Sequence, residues 1–380
     1  MTGGSRAILY DAVVVGGGLH GLSAALQLAR SGARVGLLER SWIGRHASGA
    51  SAAGVRTLGR PVAELPISLE SMAMWHDIRG LVDDDCGFHV HGQIKVAEND
   101  IELAGLRDRV DQLRALGYRH EEVVDAAELR HLLPPIARHC VGAAVARDNG
   151  AADPHRTLQA FRRAAEAAGV TIYEGCGVGA VESIADRWRL SASRAILEAP
   201  VVVNAAGAWA GRLAALFGDT VPLGTKASMM IVTERVAPYV APVVSCAGRA
   251  LSFKQTDRGT LLIGGGVQGR FDLQAEKTTV DFIALRRAAQ AATALFPSVA
   301  GVAMLRVWAG LEAKTEDLLP VIGPSPQAPG VLHAFGFSGH GFQLVPVVGA
   351  IIAELAATGK TTRQIAPFAL QRLARKEAAA

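Results

Sequence analysis

Gly16-Gly17-Gly18-Leu19-His20-Gly21 stands directly after an apolar, β-branched run (residues 10–15, YDAVVV) and directly before a stretch with helical apolar spacing (residues 22–30, LSAALQLAR). In that context a G-x-G-x-x-G segment has a defined chemistry. Gly16 permits the tight turn, Gly18 lets backbone approach a pyrophosphate, and Gly21 lets helix and strand pack closely. Leu19 and His20 open the helix, whose free N–H groups and positive dipole end suit phosphate oxygens. A second strand (residues 33–38, ARVGLL) ends at Glu39, followed by Arg40, where a carboxylate can bind ribose hydroxyls. A dinucleotide site follows, but this segment alone does not choose between FAD and NAD.

Three further glycine-rich segments bear on the choice. Residues 44–56 (GRHASGASAAGVR), carrying His46, Ser48, Ala52, Ala53, Gly54 and Arg56, are small and polar enough to wrap an extended ligand. Residues 204–210 (NAAGAWA), with Ala206, Gly207 and Trp209, follow a strand. Residues 332–344 (LHAFGFSGHGFQL) run from a strand through Gly336, Gly339, His340 and Gly341 into a helix that begins near Phe342 and Gln343.

Together with the fingerprint these segments resemble the D-amino-acid oxidase superfamily of flavoenzymes. The similarity is to the glycine and sarcosine oxidase type and to the β-subunits of sarcosine oxidase, opine oxidase and hydrogen cyanide synthase. It spans nearly the whole chain, and GFSGHGF is its most specific element. The resemblance implies FAD, with Val178 meeting the adenine through its backbone, Gly207 and Trp209 lining the pyrophosphate and ribose, and Gly54 beside the isoalloxazine. It likewise puts Gly310 and residues 339–343 at the cofactor. The helix near Phe342 would then aim its positive end at the negative charge of a reduced flavin. Some relatives link FAD through a His two residues before an Ala-Ala-Gly triplet. Here the triplet is Ala52-Ala53-Gly54 and Ser51 precedes it, so non-covalent FAD is expected, with His46 touching the cofactor or capping the loop.

On the substrate side, residues 308–323 (WAGLEAKTEDLLPVIG) resemble the stretch in which glycine-oxidase-like members carry an Arg for the substrate carboxylate. Glu312 stands there instead. A carboxylate cannot anchor a carboxylate, so the candidate cations are Arg56, Lys226, Lys254 and Arg306, with Lys254 (LSFKQT) in a strand expected to floor the substrate domain. Glu312 is expected either to line the pocket and favour a substrate with a second cationic group, or to pair with Lys314 or Arg306 at the rim. His340 should face the flavin or the pocket; His89 and His91 read as surface or core residues. The expected reaction is hydride transfer from the α-carbon to flavin N5, leaving an imine that water hydrolyses. It needs alignment more than a side-chain base.

These residues must be held by a fold. The chain has 380 residues, 50% hydrophobic and 19% charged, with 42 glycines, which suits two domains of a globular α/β protein. The alternation of strands and helices predicts a Rossmann-like FAD-binding domain (1–82, 150–215 and 303–380) interleaved with a smaller antiparallel-sheet substrate domain (83–149 and 216–302). A net charge of +4 without basic runs and only 5% aromatic residues exclude a nucleic-acid partner and leave a mild attraction for anions. The four cysteines lie far apart without a C-x-x-C pair, which gives no metal-ligand set and suggests a reducing compartment. With the first strand starting near Tyr10 and the most apolar stretch (residues 344–357) holding Pro346 and Glu354, a cytoplasmic protein without a transmembrane segment is expected.

The substrate falls among N-alkyl amino acids, opines, imino acids and D-amino acids. The β-subunit resemblance also implies a partner subunit or a dedicated electron acceptor. An NAD-dependent dehydrogenase is the competing enzyme class, and it leaves NAAGAWA and GFSGHGF unexplained.

Overall fold

Every residue of the strand Ala12–Val15 is buried, and its side chains alternate between two cores. Ala12 and Val14 belong to the larger cluster under the helices, whereas Val13 and Val15 belong to a second cluster on the opposite face. A strand covered on both faces has no use for polar positions, which is why the sequence there is an unbroken apolar run. The computed structural model describes residues 6–373, so the terminal residues of the expected first and last FAD-binding segments lie outside the described part.

Ala12–Val15 sits inside a six-stranded sheet ordered Val321–Pro324, Val331–Phe335, Val201–Asn204, Ala12–Val15, Val35–Leu38 and Thr171–Tyr173. All pairings are parallel except that of the outermost strand, Val321–Pro324. One face carries the fingerprint helix Leu19–Arg30, packed between Pro154–Ala167 and the C-terminal helix Gly341–Thr358. Asp153 caps the second of these by accepting a hydrogen bond from the Arg156 N–H at 2.8 Å. The other face is covered by a four-stranded sheet that includes Val178–Ile184 and Arg187–Ala192.

A separate eight-stranded sheet runs in the order Met304–Lys314, Gly224–Arg235, Thr260–Gly264, Ser252–Gln255, Val243–Cys246, Gln93–Ala97, Gly142–Ala146 and Glu122–Asp125. It is antiparallel apart from the pairing of Val243–Cys246 with Gln93–Ala97. One face packs on helix Phe282–Leu295, which is capped by Asp281. The expected division at residue 303 cuts this sheet. Met304–Lys314 pairs along Gly224–Arg235 from Lys314↔Gly224 to Met304↔Thr233, so its hydrogen bonds tie it to the second sheet.

Residues 65–82 form two helices, Leu65–His76 and Ile78–Val82, separated at Asp77. The helix expected near Phe342 starts at Gly341 and has 18 residues, enough by length and composition to cross a membrane. More than half of it is buried against Leu19–Arg30 and Leu65–His76, so its apolar character is accounted for by core packing. All four cysteines are buried and unpaired.

A cavity between the two sheets: candidate cofactor and active site

The fingerprint turn is fixed by contacts that only glycine permits. Gly16 has φ 115°, and a side chain there would overlap the Ala205 carbonyl. A Cβ on Gly21 would overlap the Gly16 carbonyl oxygen, so Gly21 sets the distance between helix and strand. Glu39 takes hydrogen bonds from the N–H groups of Gly17 and Ser41, each at 2.7 Å. Burial pushes its carboxyl up while those two donors oppose the shift. The Leu19 N–H is held by the Ser48 hydroxyl at 3.0 Å, which ties the loop of residues 44–54 to the helix N-terminus.

A cavity of about 990 Å3 begins at this turn and runs between the two sheets. Its nucleotide end is walled by Gly16, Gly18, Leu19, Glu39, Arg40, Val178, Ala206, Gly207 and Trp209. Its middle is walled by His46, Ser48, Ala52, Ala53 and Gly54 on one side and by Gly310, Gly339, His340, Gly341 and Phe342 on the other. Two expected cofactor residues are not on the wall. Gly21 acts through packing alone. Gln343 turns its amide into the core, donating to the Ser68 carbonyl at 2.7 Å, while its own carbonyl takes the Trp75 indole N–H at 2.8 Å.

The walls of the middle section are pinned to each other. Trp308 donates its indole N–H to the Ala50 carbonyl at 3.1 Å, and a Cβ on Gly310 would come within 2.5 Å of the Ala50 Cβ. His20 lies parallel to Phe337 with ring centroids 3.6 Å apart, and burial pushes its imidazole down to about 3, so it is neutral. The residue borders the cavity, and the Gly341 backbone beside its ring opposes that shift by hydrogen bonding. The glycine turn that no side chain could enter, the carboxylate at Glu39 and the groove running past them together fit a dinucleotide.

The remaining wall comes from one face of the eight-stranded sheet, where side chains alternate with period two. Lys226, Ser228 and Met230 on one strand face the cavity, as do Gly310 and Glu312 on the edge strand. Gln93 and Lys95 do so on a third strand, with Val243 and Ser245 on its neighbour. Lys226 and Glu312 are register partners joined by a 3.1 Å ion pair, and the Ser228 hydroxyl donates to the same carboxylate at 3.4 Å. Lys226, not Lys314 or Arg306, is therefore the partner of Glu312. Arg306 is exposed on the edge strand and off the wall, as is Lys314.

Lys254 is also corrected. It is buried and off the cavity wall, its ammonium donating to the Ala152 carbonyl at 3.3 Å, and burial pushes its pKa down to about 8. His340 does reach the wall. Its Nδ1 lies 3.0 Å from a carboxylate oxygen of buried Glu64, and its carbonyl accepts from Arg60 at 3.1 Å. Burial and then the Arg60 charge push the imidazole down to about 4, so it is neutral and a poor base. Burial alone would raise Glu64, but the His340 hydrogen bond and the Arg60 charge hold it below the ordinary carboxylate range.

Lys95 was not singled out from the sequence. Beside it and Arg56, the cations Arg60 and Arg109 are matched by the carboxylates of Glu64 and Glu121. Arg56 and Lys95 have no carboxylate partner among the described residues; Arg56 donates only to the Leu58 carbonyl, at 2.8 Å. Burial lowers both; Glu64 and Glu121 oppose the shift at Arg56 and Arg109 adds to it, while at Lys95 Arg109 and Arg56 add to it, so four cations share two carboxylates in this corner. The available signal was the alternation Gln93, Lys95, Ala97 in a strand-like run, which puts Lys95 and Gln93 on one face.

The family of FAD dependent oxidoreductases designated DAO matches residues 11–355 of this chain. Glycine oxidase of Geobacillus kaustophilus is 27% identical over 376 residues, covering 96% of this chain and 97% of that protein. Sarcosine oxidase subunit beta of Rhizobium meliloti is 26% identical over 376 residues, covering 96% of this chain and 89% of that subunit. Among solved structures, L-proline dehydrogenase from P. horikoshii superposes with a TM-score of 0.91 over 98% of this chain and 99% of its own, at 24% identity. That likeness establishes the same fold. With the family match running from the fingerprint strand into the helix that follows GFSGHGF, this chain belongs to the DAO family of FAD-dependent oxidoreductases.

Proposed function

We propose that this enzyme oxidises the C–N bond of a small amine that carries a carboxylate, an amino acid or its N-substituted derivative, with FAD held non-covalently. The observation that carries the reading is the pair Arg56 and Lys95, cations on the cavity wall that lack a carboxylate partner among the described residues. An unpaired charge in a half-buried site is costly, and a substrate carboxylate between them would supply the missing partner. With FAD bound, the chemistry is removal of a hydride from the carbon bearing nitrogen, leaving an imine that water hydrolyses. Arg56 and Lys95 orient the substrate, and neutral His340 adds no charge that would repel its nitrogen. The amino end of the helix Gly341–Thr358 favours the negative charge that accumulates next to it during reduction. The Lys226–Glu312 pair forms a net-neutral part of the same sheet wall, so selection of a second cationic group by Glu312 is not part of this reading.

Ser51 supports non-covalent attachment, since its hydroxyl accepts the Ala53 N–H at 3.0 Å inside the loop. The test is anaerobic bleaching of the bound flavin, which absorbs near about 450 nm, by a panel of amines with and without a carboxylate. Bleaching by carboxylate-free amines as fast as by their amino-acid counterparts would overturn the anchor. Flavin colour remaining in acid-precipitated protein would overturn non-covalent binding.

A second reading, a FAD-carrying subunit that needs a partner for turnover, is favoured by exposed Phe282, Ile283, Met304 and Leu305 on one helix start and the edge strand. Full turnover by the isolated chain with a soluble electron acceptor would exclude it.

A further inference from the structure

Between the strand Thr260–Gly264 and the helix Phe282–Leu295 the chain leaves the eight-stranded sheet in a two-stranded hairpin, Arg270–Asp272 with Lys277–Thr279. Its stalk is tied to the edge strand by the Thr278 hydroxyl, which donates to the Ala309 carbonyl at 2.8 Å. Its tip reaches the opposite side of the cavity and touches the nucleotide end. The Leu273 carbonyl accepts the Trp209 indole N–H at 3.3 Å. Glu276 meets Arg40 at 3.2 Å, His46 at 3.4 Å and Arg45 at 3.9 Å. Arg40, Arg45, His46 and Trp209 all border the cavity.

These contacts form a closed ring. The Arg40 guanidinium lies over the Trp209 ring at 4.2 Å, and the His46 ring meets the same indole at 4.6 Å. The tip is locally rigid, because Asp272 accepts the N–H groups of Gln274 and Ala275, both at 2.9 Å. Glu276 itself has φ 54°, a left-handed conformation that a non-glycine residue adopts at a cost. The cost is offset where the conformation aims one carboxylate at the Arg40 and Arg45 guanidiniums and at the His46 imidazole, which burial pushes below its ordinary value. The two guanidiniums would otherwise repel each other across the mouth of the groove.

We propose that this hairpin is a strap over the nucleotide end of the FAD groove, with Glu276 as the positioning residue that gathers Arg40, Arg45 and His46 around the bound dinucleotide. FAD enters and leaves when the strap lifts. The strap thereby couples the sheet that carries the substrate wall to retention of the cofactor.

The experiment uses the FAD-loaded protein and three variants, Glu276→Gln, Glu276→Asp and Leu273→Gly. Release of FAD after dilution is followed by the change in flavin fluorescence. Loss of one member of a charge-pair contact acts mainly on the dissociation rate, so Glu276→Gln should release FAD about tenfold faster, with Glu276→Asp intermediate. The melting temperature of the apoprotein should be the same for wild type and Glu276→Gln, with only the upshift on adding FAD reduced. Trypsin should cut at exposed Lys277 more slowly in the loaded than in the apo wild type, and this protection should shrink in Leu273→Gly. A release rate within about twofold of wild type for Glu276→Gln, or FAD-independent cutting at Lys277, would overturn the strap. An apoprotein destabilised as much as the loaded protein would reduce Glu276 to a structural ion pair.

Discussion

At the nucleotide end of the cavity the wall is mostly backbone: a glycine turn, a helix N-terminus and a carboxylate held by two N–H groups within residues 16–41. At the substrate end the wall is side chains from alternating positions of several strands, brought together from residues 93–95, 226–230, 243–245 and 310–312. The first wall tolerates almost no change in shape but accepts any dinucleotide that fits. The second can exchange side chains without moving the strands, because each residue is anchored by its sheet pairings and not by its neighbours in the pocket. Cofactor choice and substrate choice therefore rest on separable parts of one groove.

The separation can be broken most severely at Gly16. Gly16→Val places a β-branched side chain at φ 115° against the Ala205 carbonyl, at a cost of ~3 kcal/mol or more. The expected outcome is folded protein without bound flavin, or none at all, read from the flavin-to-protein absorbance ratio. At the other end, Lys95→Met should leave that ratio intact while kcat/KM for carboxylate-bearing amines falls. The loss should be about 1.5–3 kcal/mol, roughly ten- to a hundredfold, for a charge-assisted contact. If flavin content and kcat/KM fell together, the two ends would not be separable.

Lys254 sharpens where the substrate end stops. Its side chain is buried off the cavity wall, so Lys254→Met should leave kcat/KM unchanged and raise the melting temperature at pH 7. The folded protein binds this proton more weakly than the unfolded chain does. Burial therefore costs stability below a pH of about 8, and the cost fades as pH climbs from there toward the ordinary lysine value. The advantage of the variant should shrink over the same range, which thermal melts across pH would check. The smallest effect is expected at Glu312→Gln. The ion pair with Lys226 is partly exposed, so its loss changes stability by less than about 1 kcal/mol. By freeing the Lys226 charge it should lower KM for dicarboxylate amines a few-fold; a raised KM for those amines would restore Glu312 as a direct substrate contact.

The same division explains what the sequence made legible. Gly16, Glu39 and the loop of residues 44–54 act within local segments whose spacing is the signal, and the structure brings those residues to one groove. The Lys226–Glu312 pair depends on strand register between residues far apart in the chain, and the meeting of the Lys95 face with the cavity depends on strand order; no local pattern records either. Lys254 was assigned to the floor of the pocket because its strand does lie in the right sheet. The side chain shares the face of Ser252, which does line the cavity, but it stands two residues further along the strand, where the Ala152 carbonyl takes up its ammonium. Gln343 failed for a related reason: the helix it begins is right, but its amide serves the core.

The order of strands in the six-stranded sheet has a bearing on how the enzyme is made. The fingerprint strand Ala12–Val15 emerges from the ribosome before its sheet partners Val201–Asn204 and Val331–Phe335, which follow it at long separations in the chain. A nascent chain arrested before Val331 carries the whole glycine motif without the parallel strand and long helix that hold it in place. Cofactor loading thus waits on synthesis of Val331–Phe335 and the helix after it, and a chain stopped before them lacks a finished flavin groove.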